Sequence, residues 1–290
     1  MNFSGKLYEF HHYGVSRDTM RVDYDEVLAK AKEVKPKLIV CGGSAYPRIV
    51  EADKFREIAD EVGAMLMTDM AHFSGLVAAG LHPNPVPHSD FVTSTVHKTL
   101  AGPRAGFVLC REEHAAAVDR ALFPGMQGGP LEHTIAAKAT AFKIAGTQAF
   151  RDYQSRVRAN ADTLAAGLIS AGLEVLTGGT DTHLVQLDLR HTEWTGLAAQ
   201  ERLDEVKLTV NRNTVAFDER PPMVASGVRI GTPAATMRGF DETDFAEVAA
   251  IIAGSLSDDA DIDGLRARTE ALCAKRPLYP GFRGFTEYVS

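Results

Sequence analysis

Short apolar runs alternate with amphipathic helical patterns along residues 23–110, and this alternation constrains the fold more than any other feature. Lys37–Cys41, Ala64–Asp69 and Asp90–His97 have the composition of buried strands. Tyr24–Val34 and Asp53–Val62 carry apolar residues at helical spacing between them. Strands that are joined through helices form a mostly parallel sheet, and ligands bind at the carboxyl ends of its strands. The sequence therefore predicts the α/β class.

The pattern of predicted helices and strands changes after residue 149, where a smaller α+β domain is predicted. Its predicted elements are a helix over Arg151–Ala171, strands over Glu174–Leu176 and His183–Leu189, and a helix over Asp241–Leu256. Before the boundary, Phe107–Cys110 is predicted to pair as a return strand, whereas residues 279–290 receive no element. We thus predict two domains, residues 1–149 and residues 150–290.

Composition excludes several classes of function. The net charge of −7 leaves no basic surplus to neutralise phosphates, which argues against sequence-independent nucleic-acid binding. No apolar run approaches the roughly 18 residues needed to cross a bilayer, and Met1–Lys6 does not resemble a signal peptide. Cys41, Cys110 and Cys273 are isolated, and no histidines have zinc-like spacing. We expect a cytoplasmic protein without a structural metal or a membrane span.

Polar side chains stand at the carboxyl ends of the three predicted strands, namely Ser44, Asp69 and Lys98. We expect one shared site there, since the ends of parallel strands meet at one edge of a sheet. A lysine in a cleft of low dielectric can form a Schiff base through its free amine. The simpler alternatives are a solvated lysine and an aspartate that caps a helix or forms a turn, and the pattern alone leaves them open.

Six segments together resemble the serine hydroxymethyltransferase family of pyridoxal-phosphate enzymes, in the family's order. They are Ser44–Pro47, Asp69–His72, Gly80–Pro87, Thr95–Arg104, Phe123–Pro130 and Gly227–Pro233. The resemblance implies an aminotransferase-like large domain and a smaller C-terminal domain. It also implies pyridoxal 5'-phosphate as the cofactor and tetrahydrofolate as the co-substrate.

For the cofactor, the resemblance assigns Lys98 to the Schiff base and Asp69 to the protonated pyridine nitrogen. A carboxylate there favours the charged ring and keeps the cofactor an electron sink. His72 and Ser44 match the family's neighbours of the phenolic oxygen, and His97 matches the residue before the lysine. Both histidines could equally be satisfied core or turn residues.

Thr95 can donate a hydrogen bond close to the Schiff base, whereas Val96 stands where the family usually has a further threonine. The implied catalytic residues are thus Lys98, His72, Thr95 and His97. Gly128 and Gly129 are either turn residues or part of a loop that approaches a phosphate. In the family this loop serves the partner subunit's phosphate, which implies a homodimer or a hetero-oligomer with a full-length relative.

The substrate residues that the resemblance implies lie in the second half of the chain. Arg229 matches the arginine that binds the amino-acid carboxylate of serine or glycine, a ligand that suits a planar guanidinium fork. A lone arginine in such a run is more often a surface ion-pair partner. Pro221, Pro222 and Met223 match the folate segment, where the family commonly has Ser-Pro-Phe, and Asn211 is a further folate-side candidate.

The family has a front portion that precedes the segment matching Met1–Asp23, so the predicted large domain is incomplete. That portion supplies the acid–base glutamate and active-site tyrosines. The predicted function is interconversion of serine and glycine with one-carbon transfer to tetrahydrofolate. The alternatives are a truncated paralogue that binds cofactor or acts as a dimerisation partner, and a related pyridoxal-phosphate aldolase or aminotransferase. Met1 need not be the true start.

Overall fold

The computed structural model describes residues 2–279. The chain divides between Ser155 and Arg156 into two compact units. This division falls inside the long helix Gln148–Ser170, a few residues beyond the boundary predicted between residues 149 and 150. The two units are described separately below.

The first unit alternates helices and strands as the sequence pattern indicates. Its helices are α1 (Ser4–Leu7), α2 (Tyr24–Val34), α3 (Ala52–Val62), α4 (Ser74–Ala78), α5 (Glu112–Arg120) and α6 (Glu132–Ala145), and α7 (Gln148–Ser170) begins in it. Asp23 caps α2, because its side chain accepts hydrogen bonds from the amides of Asp25 and Glu26. Gly63 ends α3 in the left-handed conformation that favours glycine.

Four strands form the sheet of the first unit in the order β1-β2-β3-β4. They are β1 (Leu38–Gly42), β2 (Met65–Asp69), β3 (Phe91–Thr95) and β4 (Gly106–Cys110). The first three are parallel, and β4 returns antiparallel to β3. The mostly parallel sheet of an α/β fold is thus confirmed, although β3 ends at Thr95 and not at His97.

The core of this unit lies on one face of the sheet. Ile39, Leu66 and Val92 point from three adjacent strands toward Phe55 and Ile58 of α3. The opposite face carries apolar side chains that remain 37–49% exposed, and these are Leu38, Val40, Met65 and Val108. Parallel sheets are usually covered on both faces, so the open face sets this sheet apart.

The second unit contains a three-stranded antiparallel sheet with the order β5-β7-β6. Its elements after α7 are β5 (Leu184–Asp188), α8 (Gly196–Glu205), β6 (Asn211–Asn213), β7 (Gly227–Gly231), α9 (Pro233–Met237), α10 (Glu242–Ser255) and α11 (Ile262–Lys275). A continuous apolar core joins the sheet to the helices, with Leu187, Val228 and Ile252 fully buried. An antiparallel sheet packed with helices agrees with the predicted α+β organisation.

The prediction of a strand at Glu174–Leu176 is wrong. Only Val175 forms a bridge, to Leu187, and a short 3-10 turn occupies Leu176–Gly178. The preceding helix α7 ends at Ser170, and Gly172 follows it with a φ of +85°, a conformation that favours glycine. Tyr279 is the last described residue, so the rest of the unassigned tail, residues 280–290, lies outside the described part of the chain.

Candidate functional site

Asp69 lies at the carboxyl end of β2, between the neighbouring strands β1 and β3. It is in register with Gly42 of β1 on one side and with Thr93 of β3 on the other. Its side chain lies on the open face of the sheet and is exposed, and its Oδ1 accepts a hydrogen bond from the amide of Ala71 at 2.8 Å. The carboxylate therefore forms a turn and also remains accessible at the predicted edge.

Gly42 allows β1 and β2 to end close together. Its φ is +128°, and a Cβ at this position would lie 2.2 Å from the carbonyl oxygen of Asp69. Ser44 follows two residues later and is exposed. A larger residue at position 42 would displace the backbone that carries Asp69, because the two peptides leave no room for a methyl group.

Lys98 lies in a closed loop just beyond β3. The amide of Val96 donates to the carbonyl of Ala105, and the amide of Gly102 donates to the carbonyl of Val96, each at 2.9 Å. The carbonyl of Lys98 itself accepts from the amide of Ala101 at 2.9 Å. The backbone on both sides of Lys98 is consequently fixed, and its side chain is half-buried.

Hydrogen bonds join the Lys98 loop to the segment after Asp69. Thr95 Oγ1 donates to the carbonyl of Ala71 at 3.3 Å, and Thr99 Oγ1 donates to the carbonyl of His72 at 2.8 Å. The structure thus brings together the segments that carry Asp69, His72, Thr95 and Lys98. The sequence predicted that the hydroxyl of Thr95 donates a hydrogen bond close to the Schiff base. In the structure this hydroxyl donates to the carbonyl of Ala71.

Thr99 and Gln154 belong to this constellation although the sequence reading missed them. Gln154 Nε2 donates to the carbonyl of Thr99 at 2.7 Å. The available signal for Gln154 was a glutamine beside Tyr153 and Val157 on the buried side of a helix, where an apolar residue is expected. Nothing in the spacing of the sequence indicates that this amide reaches Thr99.

Among the described residues, Cys41 is the only cysteine near this edge of the sheet, and its thiol is unreactive. Burial raises the pKa of Cys41 to about 11; its hydrogen bond with Thr68 opposes that shift and the nearby charge of Asp69 adds to it. Its Sγ lies 3.2 Å from Thr68 Oγ1. A protonated, buried thiol is a poor nucleophile, so the Lys98 amine is the stronger candidate for covalent chemistry.

Gly128 and Gly129 lie in an exposed stretch that follows α5. A Cβ at either position would meet no heavy atom within 4 Å. No residue among 111–140 is buried, and five large apolar side chains there are exposed: Leu122, Phe123, Met126, Leu131 and Ile135. The described contacts do not bring these glycines to Lys98.

Two of the predicted substrate residues, Asn211 and Arg229, lie in one row across the sheet of the second unit. Gln186 of β5 and Asn211 of β6 are both in register with Arg229 of β7. Residues directly opposite one another in antiparallel strands present their side chains to the same face. Burial lowers the pKa of Arg229 below its ordinary value, and an anionic ligand at this half-buried guanidinium would offset the desolvation.

Gln186 is a second residue that the sequence reading missed. It is buried, and its Nε2 donates to the carbonyl of Thr214 at 3.0 Å. A polar residue inside the apolar strand pattern was the available signal. Pro221, Pro222 and Met223 are exposed, in a loop whose later part is held by Asp218.

Asp218 anchors that loop through several donors. Its carboxylate accepts from the amide of Ser226 at 2.8 Å, from the hydroxyl of Ser226 at 2.6 Å and from the amide of Arg220 at 3.0 Å. Burial alone would raise the pKa of Asp218, but these hydrogen bonds outweigh burial and lower it. The loop between β6 and β7 therefore has a fixed anchor next to the strand that carries Arg229.

The residues of the first unit fit a pyridoxal phosphate at two of its functional groups. Lys98 offers an amine for the aldehyde, and the exposed carboxylate of Asp69 suits a protonated ring nitrogen. His97 Nδ1, beside Lys98, is buried without a hydrogen-bond partner within residues 2–279, and a bound polar group is one way to satisfy it.

Two other kinds of feature are absent from the described residues. The described helices include none that could span a membrane. The described residues contain no cluster of three or more metal-ligating side chains.

Comparisons with known proteins show which family the chain belongs to. The family model described as serine hydroxymethyltransferase matches residues 1–252. The chain is 57% identical to the serine hydroxymethyltransferase of Kineococcus radiotolerans, over 98% of this chain and 67% of that protein. It is 57% identical to that of Nocardia farcinica, over 97% and 66%, and 56% identical to that of Corynebacterium efficiens, over 99% and 68%. The chain thus spans about two thirds of the length of these relatives.

Proposed function

Because the chain belongs to the serine hydroxymethyltransferase family, we propose that it interconverts serine and glycine and transfers the one-carbon unit to tetrahydrofolate. The family uses pyridoxal phosphate and takes tetrahydrofolate as co-substrate. The observation that carries the proposal is the hydrogen-bonded assembly of the Asp69–His72 and Thr95–Lys98 segments at the carboxyl edge of a parallel sheet. Ligands of α/β folds bind at that edge.

Each residue of the first unit has a proposed task. Lys98 would hold the cofactor through its amine, and Asp69 would keep the ring nitrogen protonated. The bound cofactor supplies an electron sink for the charge that develops at the substrate carbon when a bond is broken. Ser44 and His72 would contact the ring oxygen, and His97 would pair its buried Nδ1 with a polar group of the bound ligand.

The second unit would bind the substrates. Arg229 would grip the carboxylate of serine or glycine in a bidentate manner, which orients the amino acid without forming a covalent bond. Asn211, its register partner, together with Pro221, Pro222 and Met223, would contact the folate. The proposed domains are residues 1–149 and 150–290.

We also propose that the chain works as a dimer, either with a second copy or with a full-length relative. The support is the stretch of residues 111–140, which contains Gly128 and Gly129 and has no buried residue. Its apolar side chains are exposed in the described unit, and apolar patches of this kind are typical of interaction surfaces. A partner placed there would bring the glycine loop to its own phosphate site.

The decisive experiment supplies the purified chain with pyridoxal phosphate, serine and tetrahydrofolate and measures glycine formation. We expect turnover that requires tetrahydrofolate and that Lys98→Ala abolishes. The matched control is Lys30→Ala, which removes a lysine that pairs with Glu33 at 2.7 Å on the surface of α2. Glycine formation without tetrahydrofolate would favour a related aldolase. Cofactor binding without turnover would favour a paralogue that acts as a cofactor-binding or dimerisation partner.

A further inference from the structure

Gln154 is a fully buried glutamine whose amide reaches the residue that follows Lys98. It lies in α7 with 0% exposure, and its Nε2 donates to the carbonyl oxygen of Thr99 at 2.7 Å. Thr99 is 1% exposed. These two residues are 55 positions apart in the sequence, so the bond is a tertiary contact. It fixes the peptide group immediately beyond Lys98.

Thr99 in turn joins the two segments of the candidate site. Its Oγ1 donates to the carbonyl of His72 at 2.8 Å and accepts from the amide of Gly75 at 2.9 Å. Its hydroxyl and its carbonyl therefore have separate partners, one in the His72 segment and the other in α7. Gln154 therefore helps to fix the position of Lys98 relative to His72, because it is hydrogen-bonded to Thr99.

The packing around this contact leaves little room for adjustment. A Cβ at Gly75 would lie 2.4 Å from the carbonyl oxygen of Thr99 and 2.8 Å from Gln154 Nε2. The backbone at Gly75, the carbonyl of Thr99 and the amide of Gln154 are thus in close mutual contact. Because the site is close-packed, losing the Gln154 donor cannot be compensated by another group that moves in.

The hydrogen bonding of Gln154 favours a positioning role over a purely stabilising one. Its Oε1 is buried and has no hydrogen-bond partner among the described residues. A buried acceptor without a partner reduces stability, so an apolar side chain would serve packing alone better. The amide is therefore only half satisfied, and its satisfied half donates to Thr99.

We propose that Gln154 is a positioning residue, which fixes the carbonyl of Thr99 and so holds Lys98 against the His72 segment. It touches neither substrate nor cofactor and acts only through Thr99. The consequence for the cofactor rests on the proposed function of Lys98, whereas the consequence for the loop does not.

The test compares Gln154→Met, which keeps the length of the side chain but removes the donor, with Gln148→Met. Gln148 is exposed on the same helix, and its Nε2 donates only to Asp152 in a surface contact. In the full chain without cofactor, we expect amide hydrogen exchange at Gly75 and Ala101 to be about tenfold faster in Gln154→Met, the factor for one lost neutral hydrogen bond. Exchange at Ile39 and Leu66, in the strands, should match the wild type.

A second measurement follows the rate at which Lys98 combines with added pyridoxal phosphate, read from the visible absorption of the product. We expect this rate to fall about tenfold in Gln154→Met and to stay unchanged in Gln148→Met, in proportion to the loss of the ordered loop. Gln154→Asn keeps the amide but shortens the side chain by one methylene. Its rate of reaction with pyridoxal phosphate should lie between the rates of Gln154→Met and Gln148→Met. It also replaces Gln154→Met in the test if that variant does not fold.

The outcomes separate the two proposals. Unchanged exchange at Gly75 and Ala101 would overturn the positioning role, and so would equal acceleration at Ile39 and Leu66, because a merely structural residue loosens the whole unit. If the wild-type Lys98 takes up no pyridoxal phosphate, the proposed function fails, and the exchange measurement still decides the role of Gln154.

Discussion

Buried carboxylates with several donors each hold the chain together at the residue scale. Asp90 accepts from the amide of Leu66 at 2.7 Å and from Arg56 at 2.8 Å, just before β3 begins. Asp244 is 1% exposed and accepts from Lys275 at 2.6 Å and from Arg276 at 2.9 Å, which ties α10 to the end of α11. The stability of both contacts depends on an ionised carboxylate.

The pH dependence of Asp244 follows from its pKa. Burial alone would raise that pKa, but the hydrogen bonds from Lys275 and Arg276 outweigh burial and lower it. A lowered pKa in the folded state means that the contribution to stability is complete above the unfolded pKa of about 3.9. It is lost as the pH falls further, through the folded-state pKa.

We therefore predict that Asp244→Asn lowers the free energy of unfolding by about 1–3 kcal/mol at neutral pH, the usual size for hydrogen bonds to a charged group. The difference from the wild type should shrink as the pH falls below about 4. Denaturant titrations at several pH values measure both effects.

The matched control for this prediction is Asp263→Asn. Its side chain is 91% exposed and pairs with Arg266 at 2.6 Å on the surface, so its loss should cost less than about 1 kcal/mol. An Asp244→Asn variant that is as stable as Asp263→Asn at neutral pH would contradict the prediction, as would a difference that grows in acid.

At the scale of elements, the sheet β1–β4 presents two unlike faces. Ile39 and Leu66 are buried against helices, whereas their neighbours Val40 and Met65 are 39% and 40% exposed. The residue alternation is that of a strand, yet both faces of β1 are apolar. Strands with apolar residues on both faces are typical of sheets that are packed against other elements on both sides. Within residues 2–279, no element covers the second face of this sheet.

We predict that the open face binds a hydrophobic dye and that the double variant Val40→Thr, Met65→Gln reduces the dye fluorescence. The unfolding midpoint should change little, because partly exposed side chains contribute little burial. Ile39→Thr, on the buried face of the same strand, is the control and should cost about 1–3 kcal/mol without reducing dye binding. If the double variant destabilises the chain as much as Ile39→Thr does, the face is covered in solution.

The sequence predicted the strands and helices that bury their own periodic apolar residues. β1, β2 and β3 were found because their apolar runs are short and lie between helical patterns, although the predicted end of β3 at His97 was two residues too late. α10 was found because its apolar residues have helical spacing. Glu174–Leu176 was misassigned, since a three-residue segment with only two apolar residues does not distinguish a strand from a turn. The sequence pattern was sufficient to locate an element where the element buries its own periodic apolar residues.

The candidate site was predictable only in part, for a related reason. Asp69 and Lys98 stand at strand ends, and strand ends can be located from the pattern. The link from Gln154 to Thr99 spans 55 residues, and helix α8 and strand β6 separate Gln186 from Arg229 in the sequence. Neither partner can be identified from spacing, because tertiary packing alone sets which buried polar groups meet.

At the scale of the whole molecule, the central claim is that Lys98 is the lysine that holds the cofactor. The chain belongs to a family that uses pyridoxal phosphate, and its segments Asp69–His72 and Thr95–Thr99 are joined at one edge of a parallel sheet. The claim is specific to one of the many lysines in the chain, so it can be tested without turnover.

The most direct measurement treats the full chain with pyridoxal phosphate, reduces the mixture with borohydride and locates the modified residue by peptide mass spectrometry. We expect the cofactor on Lys98 at equimolar concentration, and none on the exposed Lys54, which serves as the internal comparison. Asp69→Asn should weaken this labelling several-fold, because the ring nitrogen loses its charged partner. Labelling spread evenly over surface lysines, with Lys98 unmodified, would contradict the claim.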